Sequence, residues 1–202
     1  MIDRIISEIK TCMENGCYIA ALTMALTLPD ICGRAEYGNI GNGKRFTNWY
    51  TEHLGQYEKN RATTDGDKRW YADTPYLSGE MLYALRCSLL HSGDTEINGF
   101  NPKEEQNKLN NFTLTIPMDN ELHSYGSRTH IQYAPDGSVS YRAFEVDIPY
   151  ICNTLSYVAG KYYNENRGKF DFFQYSIIDR RNEAPRPPRE PQYELDFEEI
   201  EE

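Results

Sequence analysis

The sequence predicts a mainly α protein, a helical bundle with a small antiparallel β insertion before its last long helix. Three observations carry this expectation. Apolar residues recur at helical spacing through most of residues 3–91. The period then changes to alternation in FTLTIP at 112–117 and in THIQYAPDGSVSYRAFEV at 129–146. Helical spacing returns over 147–166.

Residues 3–14 place Ile5, Ile6, Ile9 and Met13 on one stripe, with Asp3 as the expected cap and Asn15-Gly16 as the stop. Residues 17–35 are apolar almost throughout, which predicts a central helix that Pro29 kinks or breaks. GNIGNG at 38–43 reads as a loop. Residues 44–59 carry Phe46, Trp49, Tyr50, Leu54 and Tyr57 at helical spacing, and a polar stretch follows to about 75. The next helix is predicted over 78–91, capped by Ser78, with Met81, Leu82, Leu85 and Leu89 inward and Ser92-Gly93 ending it. Residues 129–146 predict two strands around a Pro-Asp-Gly turn. Asp147 is the expected cap of the last helix, Pro149 fits its first turn, and Ile151, Leu155, Val158 and Tyr162 form its stripe. FDFFQYSII at 170–178 suits either helix or strand.

The chain of 202 residues is 39% hydrophobic and 26% charged, as expected of one globular domain. No apolar run approaches the length of a membrane span, and MIDRIISEIK lacks the apolar core of a signal peptide. These features predict a cytoplasmic protein with no membrane partner. The five cysteines are an odd number, mostly in helical apolar patterns, and are expected as buried free thiols. Cys12 and Cys17 lack zinc-site spacing. His123 and His130 lie near the hairpin without a convincing third ligand, so surface histidines are expected and no metal or cofactor is predicted.

The net charge of −10 argues against general nucleic-acid affinity. Residues 183–202 alone carry −6, leaving −4 on 1–182. This divides the chain into a helical domain over 1–182 and a terminal segment over 183–202. In that segment a proline-rich linker, EAPRPPREPQ, precedes the acidic YELDFEEIEE. The acidic segment reads as a solvated end.

GNIGNGK at 38–44 meets the bare spacing of a phosphate-cradling loop. That chemistry also needs a preceding strand and a hydroxyl after the lysine. Arg45 follows instead, and the preceding residues read as helix.

LSGEMLYALRCSLLHSGD at 77–94 places Arg86 and His91 five apart near the end of an amphipathic helix. On a regular α-helix these positions are about 140° apart. Two copies about a twofold axis could bring both pairs into a shared cleft. This stretch resembles the signature helix of the HEPN family, whose ribonuclease members carry Arg, four to six residues, then His. The resemblance extends loosely over 1–180 and implies a HEPN-like bundle acting as a metal-independent dimeric endoribonuclease.

By that resemblance the RNA 2′-hydroxyl attacks the adjacent phosphate, leaving a 2′,3′-cyclic phosphate and a 5′-hydroxyl. His91 would transfer the proton and Arg86 would stabilise the phosphoryl oxygens. Dependence on the 2′-hydroxyl makes RNA the substrate and excludes DNA. The sharper alternative for the acidic segment is then an RNA mimic that folds over the Arg86/His91 cleft, with Leu195, Phe197 and Ile200 as anchors, and deleting 183–202 should raise RNA cleavage or affinity. Family members often carry Asn, Asp or His after the arginine; here Cys87, a weak hydrogen-bonding group, follows. Ser88 could substitute for that group, and Asp94 could orient His91. The resemblance suggests a toxin or phage-defence setting, with an antitoxin or defence protein as partner. The alternatives are a non-catalytic HEPN module that binds a protein or nucleotide, and a nucleotide-binding protein that uses the 38–45 loop.

Overall fold

The structure, a computed structural model, describes residues 1–55, 77–93, 95–97, 109–116, 129–173, 177–178 and 180–181. Tyr57, His123, Asp94 and the terminal segment 183–202 lie outside the described residues.

Helix α1 (Ile2–Glu14) buries Ile2 and Ile9 and half-buries Ile5, Ile6 and Met13. Met1, not Asp3, is its N-cap residue, because the helix begins two residues earlier than the cap pattern suggested. Asp3 lies in the first turn, where its charge still favours the helix dipole. Asn15 caps the C-terminus and Gly16 turns the chain with φ 72°. The expected central helix is two helices, α2 (Tyr18–Ala25) and α3 (Leu28–Tyr37), with Pro29 in the first turn of α3. Proline is tolerated there because first-turn amides have no partner within the helix.

Helix α4 (Asn42–His53) follows a loop whose Gly38 and Gly41 hold φ of 64° and 95°. Residues 38–41 therefore join two helices, 42–45 form the first turn of α4, and the element before them is helix α3, not the strand that a phosphate-cradling loop requires. Phe46, Trp49, Tyr50 and Leu54 are buried from α4 and the turn after it.

Helix α5 (Gly79–Cys87) is capped as its sequence predicts. Ser78 Oγ accepts the Met81 N–H at 3.2 Å, and the Ser78 N–H reaches Met81 Sδ at 3.4 Å. Met81, Leu82 and Leu85 are buried and Leu89 is half-buried. The helix does not stay α-helical to residue 91. It continues as a π turn over Ser88–Ser92, and Gly93, left-handed at φ 64°, closes it by donating its N–H to the Ser88 carbonyl.

Strand β1 (Asn111–Thr115), strand β2 (Thr129–Tyr133) and strand β3 (Val139–Asp147) form one sheet in the order β1-β3-β2. β2 and β3 pair antiparallel, as the Pro-Asp-Gly turn predicts. β1 pairs parallel to β3, Phe112 opposite Phe144, so the sheet is mixed and the expectation of an antiparallel insertion is corrected. A tight turn fixes the direction of adjacent strands, whereas β1 reaches β3 only through a long crossover that carries no register signal.

β3 runs straight into α6 (Ile148–Glu165), whose cap Asp147 accepts the Tyr150 N–H at 2.9 Å. α6 packs on α1, α2 and α3, burying Ile151, Cys152, Leu155, Ala159 and Tyr162. A short 3-10 turn over Arg167–Phe170 occupies the start of the ambiguous region. The architecture is thus mainly helical with a small three-stranded sheet.

Among the described residues all five cysteines are free. Cys32 and Cys152 are buried, Cys12 and Cys87 half-buried, and Cys17 is exposed, so burial holds for two of the five. No described helix is long and apolar enough to cross a membrane.

Candidate active site

Three helices meet closely beneath Arg86, and glycines set their spacing. A Cβ on Gly33 of α3 would lie 2.6 Å from the Arg45 carbonyl oxygen of α4. A Cβ on Gly79 of α5 would lie 2.7 Å from the Thr47 carbonyl oxygen. Neither contact admits a side chain, so α3, α4 and α5 approach backbone to backbone. Gly43, at the start of α4, leaves room for the Tyr83 ring, which a Cβ there would meet at 3.1 Å.

This approach brings Asp30, Arg45 and Arg86 together. Asp30 Oδ2 lies 2.7 Å from Arg86 Nη2, and Asp30 Oδ1 accepts from Arg45 Nε at 3.2 Å. All three side chains are mostly enclosed, with exposures of 10%, 14% and 16% for Asp30, Arg45 and Arg86. A carboxylate so enclosed loses several kcal/mol of hydration unless ion pairs replace the water. Here each oxygen has its own guanidinium. The group carries one negative and two positive charges.

Tyr83, one turn before Arg86, places its ring 5.7 Å from the guanidinium carbon, a cation–π contact. Phe46 supports that ring at 5.3 Å. Burial and a hydrogen bond with Cys87 push the Tyr83 phenol above its ordinary value. It therefore stays neutral beside the arginines. Cys87, the residue after Arg86, lies near the Tyr83 phenol.

His91 is exposed on the π turn. Five α-helical steps of about 100° overshoot a full turn by about 140°. A π turn fits an extra residue into each turn, so each step is smaller and the overshoot shrinks. On that geometry fewer than about 140° around the axis separate His91 from Arg86. Ser88 does not face a substrate position freely, since its hydroxyl donates to the Glu96 carbonyl at 3.1 Å and pins the segment after the helix. Asp94 lies outside the described residues.

Sequence reasoning missed Asp30 and met Arg45 only as the residue that spoils a phosphate loop. A signal for Asp30 was present: a lone carboxylate in the apolar run TLPDICG must find a cation once the run is buried. His130 is a surface residue on β2, 3.5 Å from Glu145. Among the described residues no cluster of three or more His, Cys, Asp or Glu could hold a metal ion.

Comparison with protein-family models, curated proteins and solved structures finds no match. The class that fold and site define is therefore a structural one. It is a mainly helical domain with a mixed sheet, a mostly enclosed Asp30–Arg45–Arg86 cluster, and an exposed histidine on the π turn that follows Arg86 in the chain.

Proposed function

We propose that the protein is a HEPN-type endoribonuclease. The observation that carries this reading is the π turn at the end of α5, which bears exposed His91 five residues after Arg86. π turns are rare and concentrate at functional sites. In this reading Arg86 binds the phosphoryl oxygens, and Asp30 holds its guanidinium in place. His91 assists the proton transfer. The 2′-oxygen bonds to phosphorus, the bond to the 5′-oxygen breaks, and the proton lost by the 2′-hydroxyl is balanced by one gained at the 5′-oxygen. A twofold dimer would place two such pairs in one cleft. A cytoplasmic toxin or defence effector, with an antitoxin or defence protein as partner, is the setting that fits this chemistry.

The second reading is a non-catalytic module that binds a protein partner. It is favoured by the engagement of Arg86 with buried Asp30, an arrangement that also suits a purely structural arginine.

The test is cleavage of a labelled mixed-sequence RNA in EDTA by the natural protein, His91→Ala and Arg86→Ala. Cutting that leaves cyclic phosphate, and is lost in both variants while their circular dichroism is retained, supports the nuclease. Silence of the natural protein across several salt concentrations, with and without residues 183–202, rejects it in favour of the module.

A further inference from the structure

We infer that Arg45 is a second phosphate-binding guanidinium of the same site, held beside Arg86 by Asp30, and that the ligand is the RNA phosphodiester backbone. The inference rests on the nuclease reading for its choice of ligand.

The charge pattern is the first argument. One carboxylate needs only one arginine, since a guanidinium can serve both of its oxygens. Here two arginines share it, one on each oxygen. Like charges are held together in a partly dehydrated place, where their repulsion is stronger than in water. An arriving anion removes that penalty. A phosphodiester does so with a planar, bidentate match to guanidinium.

Donor geometry is the second argument. Asp30 takes the Nε of Arg45 and one terminal nitrogen of Arg86. Among the described residues Arg86 Nε is shielded and has no hydrogen-bond partner, and an unmade bond at a buried donor is costly. Among the described residues the bond of Arg45 to Asp30 uses Nε, and its terminal nitrogens are the ones offered to a further acceptor. The partial exposure of both arginines leaves them within reach from outside. Tyr83 lines the cluster as a neutral phenol, so it adds no competing negative charge. Asp30 touches only the two arginines in this scheme and is a positioning residue. Its loss would leave more positive charge but less order.

The experiment separates binding from cutting. Binding is measured by fluorescence anisotropy with a labelled 2′-O-methyl oligoribonucleotide, which has the phosphates but no attacking hydroxyl. Cutting is measured with the matching RNA. Arg45→Gln should weaken binding about tenfold and reduce the salt slope by about one. Arg4→Gln, which removes a charge paired with Glu8 on the surface of α1, should do neither. Asp30→Asn should bind at least as tightly as the natural protein yet cut at least about tenfold more slowly, with partial rescue by Asp30→Glu. A purely structural Asp30 would instead lose binding and cutting together. His91→Ala should bind normally and not cut.

Arg45→Gln binding with natural affinity and salt slope overturns the inference, whatever the cleavage result. If Arg45→Gln and the charge-conserving Arg45→Lys both fail to fold, Arg45 is structural and the inference falls. If the natural protein does not cut but binds the oligonucleotide through Arg45 and Arg86, the nuclease reading fails and the phosphate site stands. Absence of both cutting and binding rejects the two together.

Discussion

Tyr162 of α6 donates its phenolic hydrogen to Glu36 of α3 at 2.5 Å, and Lys169 Nζ lies 2.6 Å from the same carboxylate oxygen. The bond joins residues 126 positions apart and ties the last helix to the third. Trp49 and His53 of α4 pack on the Tyr162 ring at 5.7 and 5.0 Å. Burial pushes the His53 imidazole below its ordinary value, so it adds little positive charge to this neighbourhood near neutral pH.

The hydrogen bonds from Lys169 and Tyr162 hold the Glu36 carboxyl below its ordinary value. Such a group stabilises the fold above its unfolded value of about 4.3, and the contribution is lost as pH falls through the lower, folded value. Glu36→Gln should therefore melt below the natural protein near neutral pH, with the gap closing as pH falls below about 4.3 and through the lower folded value. Melting curves at four or five pH values test this. A gap that stays constant with pH would show that the charge of Glu36 plays no part.

Gly33→Ala should lose about 1–3 kcal/mol, because its Cβ meets Arg45 backbone, which cannot step aside as a side chain can. Urea unfolding measures the loss. The comparison is Gly168→Ala, whose Cβ meets nothing within 4 Å. Equal stability of the two variants would mean that α3 and α4 do not approach as closely as described.

Ser78→Ala removes the oxygen that accepts the Met81 N–H and should lose about 1 kcal/mol. The same urea midpoints report it. Ser78→Asp keeps an acceptor and should recover part of the loss. No recovery, or no loss in the alanine variant, would argue against the cap.

The thiols should react in the order of their exposure. Cys17 is exposed, whereas burial pushes the Cys152 thiol up to about 12 and the Cys32 thiol higher still. Little thiolate forms at either buried site, and thiolate is the reactive form. Labelling with a disulfide-exchange reagent, followed by peptide mapping, should find Cys17 first and Cys32 and Cys152 only after denaturation. Labelling of Cys32 at the rate of Cys17 would contradict the packing of α3.

Most helices were legible because each buries one stripe and announces its ends. Ser78, Asp147 and Gly93 act where their residue types predict. The β2–β3 hairpin was legible because Pro-Asp-Gly dictates its turn. The parallel partner of β3 was not, since alternation tells a strand which face is buried but not which neighbour it takes. The π turn was also hidden, because SLLHS differs in no residue type from an α-helical ending. At the site, Arg86 and His91 were visible as a spacing. Asp30 and Arg45 were not, because their meeting depends on Gly33 letting two helices touch, a tertiary event with only a one-residue trace in the sequence.

The packing of α6 on α1, α2 and α3 has a consequence for the order in which the molecule is made. The first three helices leave the ribosome with apolar faces whose cover is encoded more than a hundred residues later. Those faces wait, in water, through the synthesis of everything between. At roughly 5–20 residues per second that interval lasts about 6–25 s, long enough for a chaperone to bind or for two nascent chains to meet. The Asp30 cluster draws only on α3, α4 and α5, so it can assemble before the chain is finished. The helices that carry the site can therefore dock before the fold around them is complete.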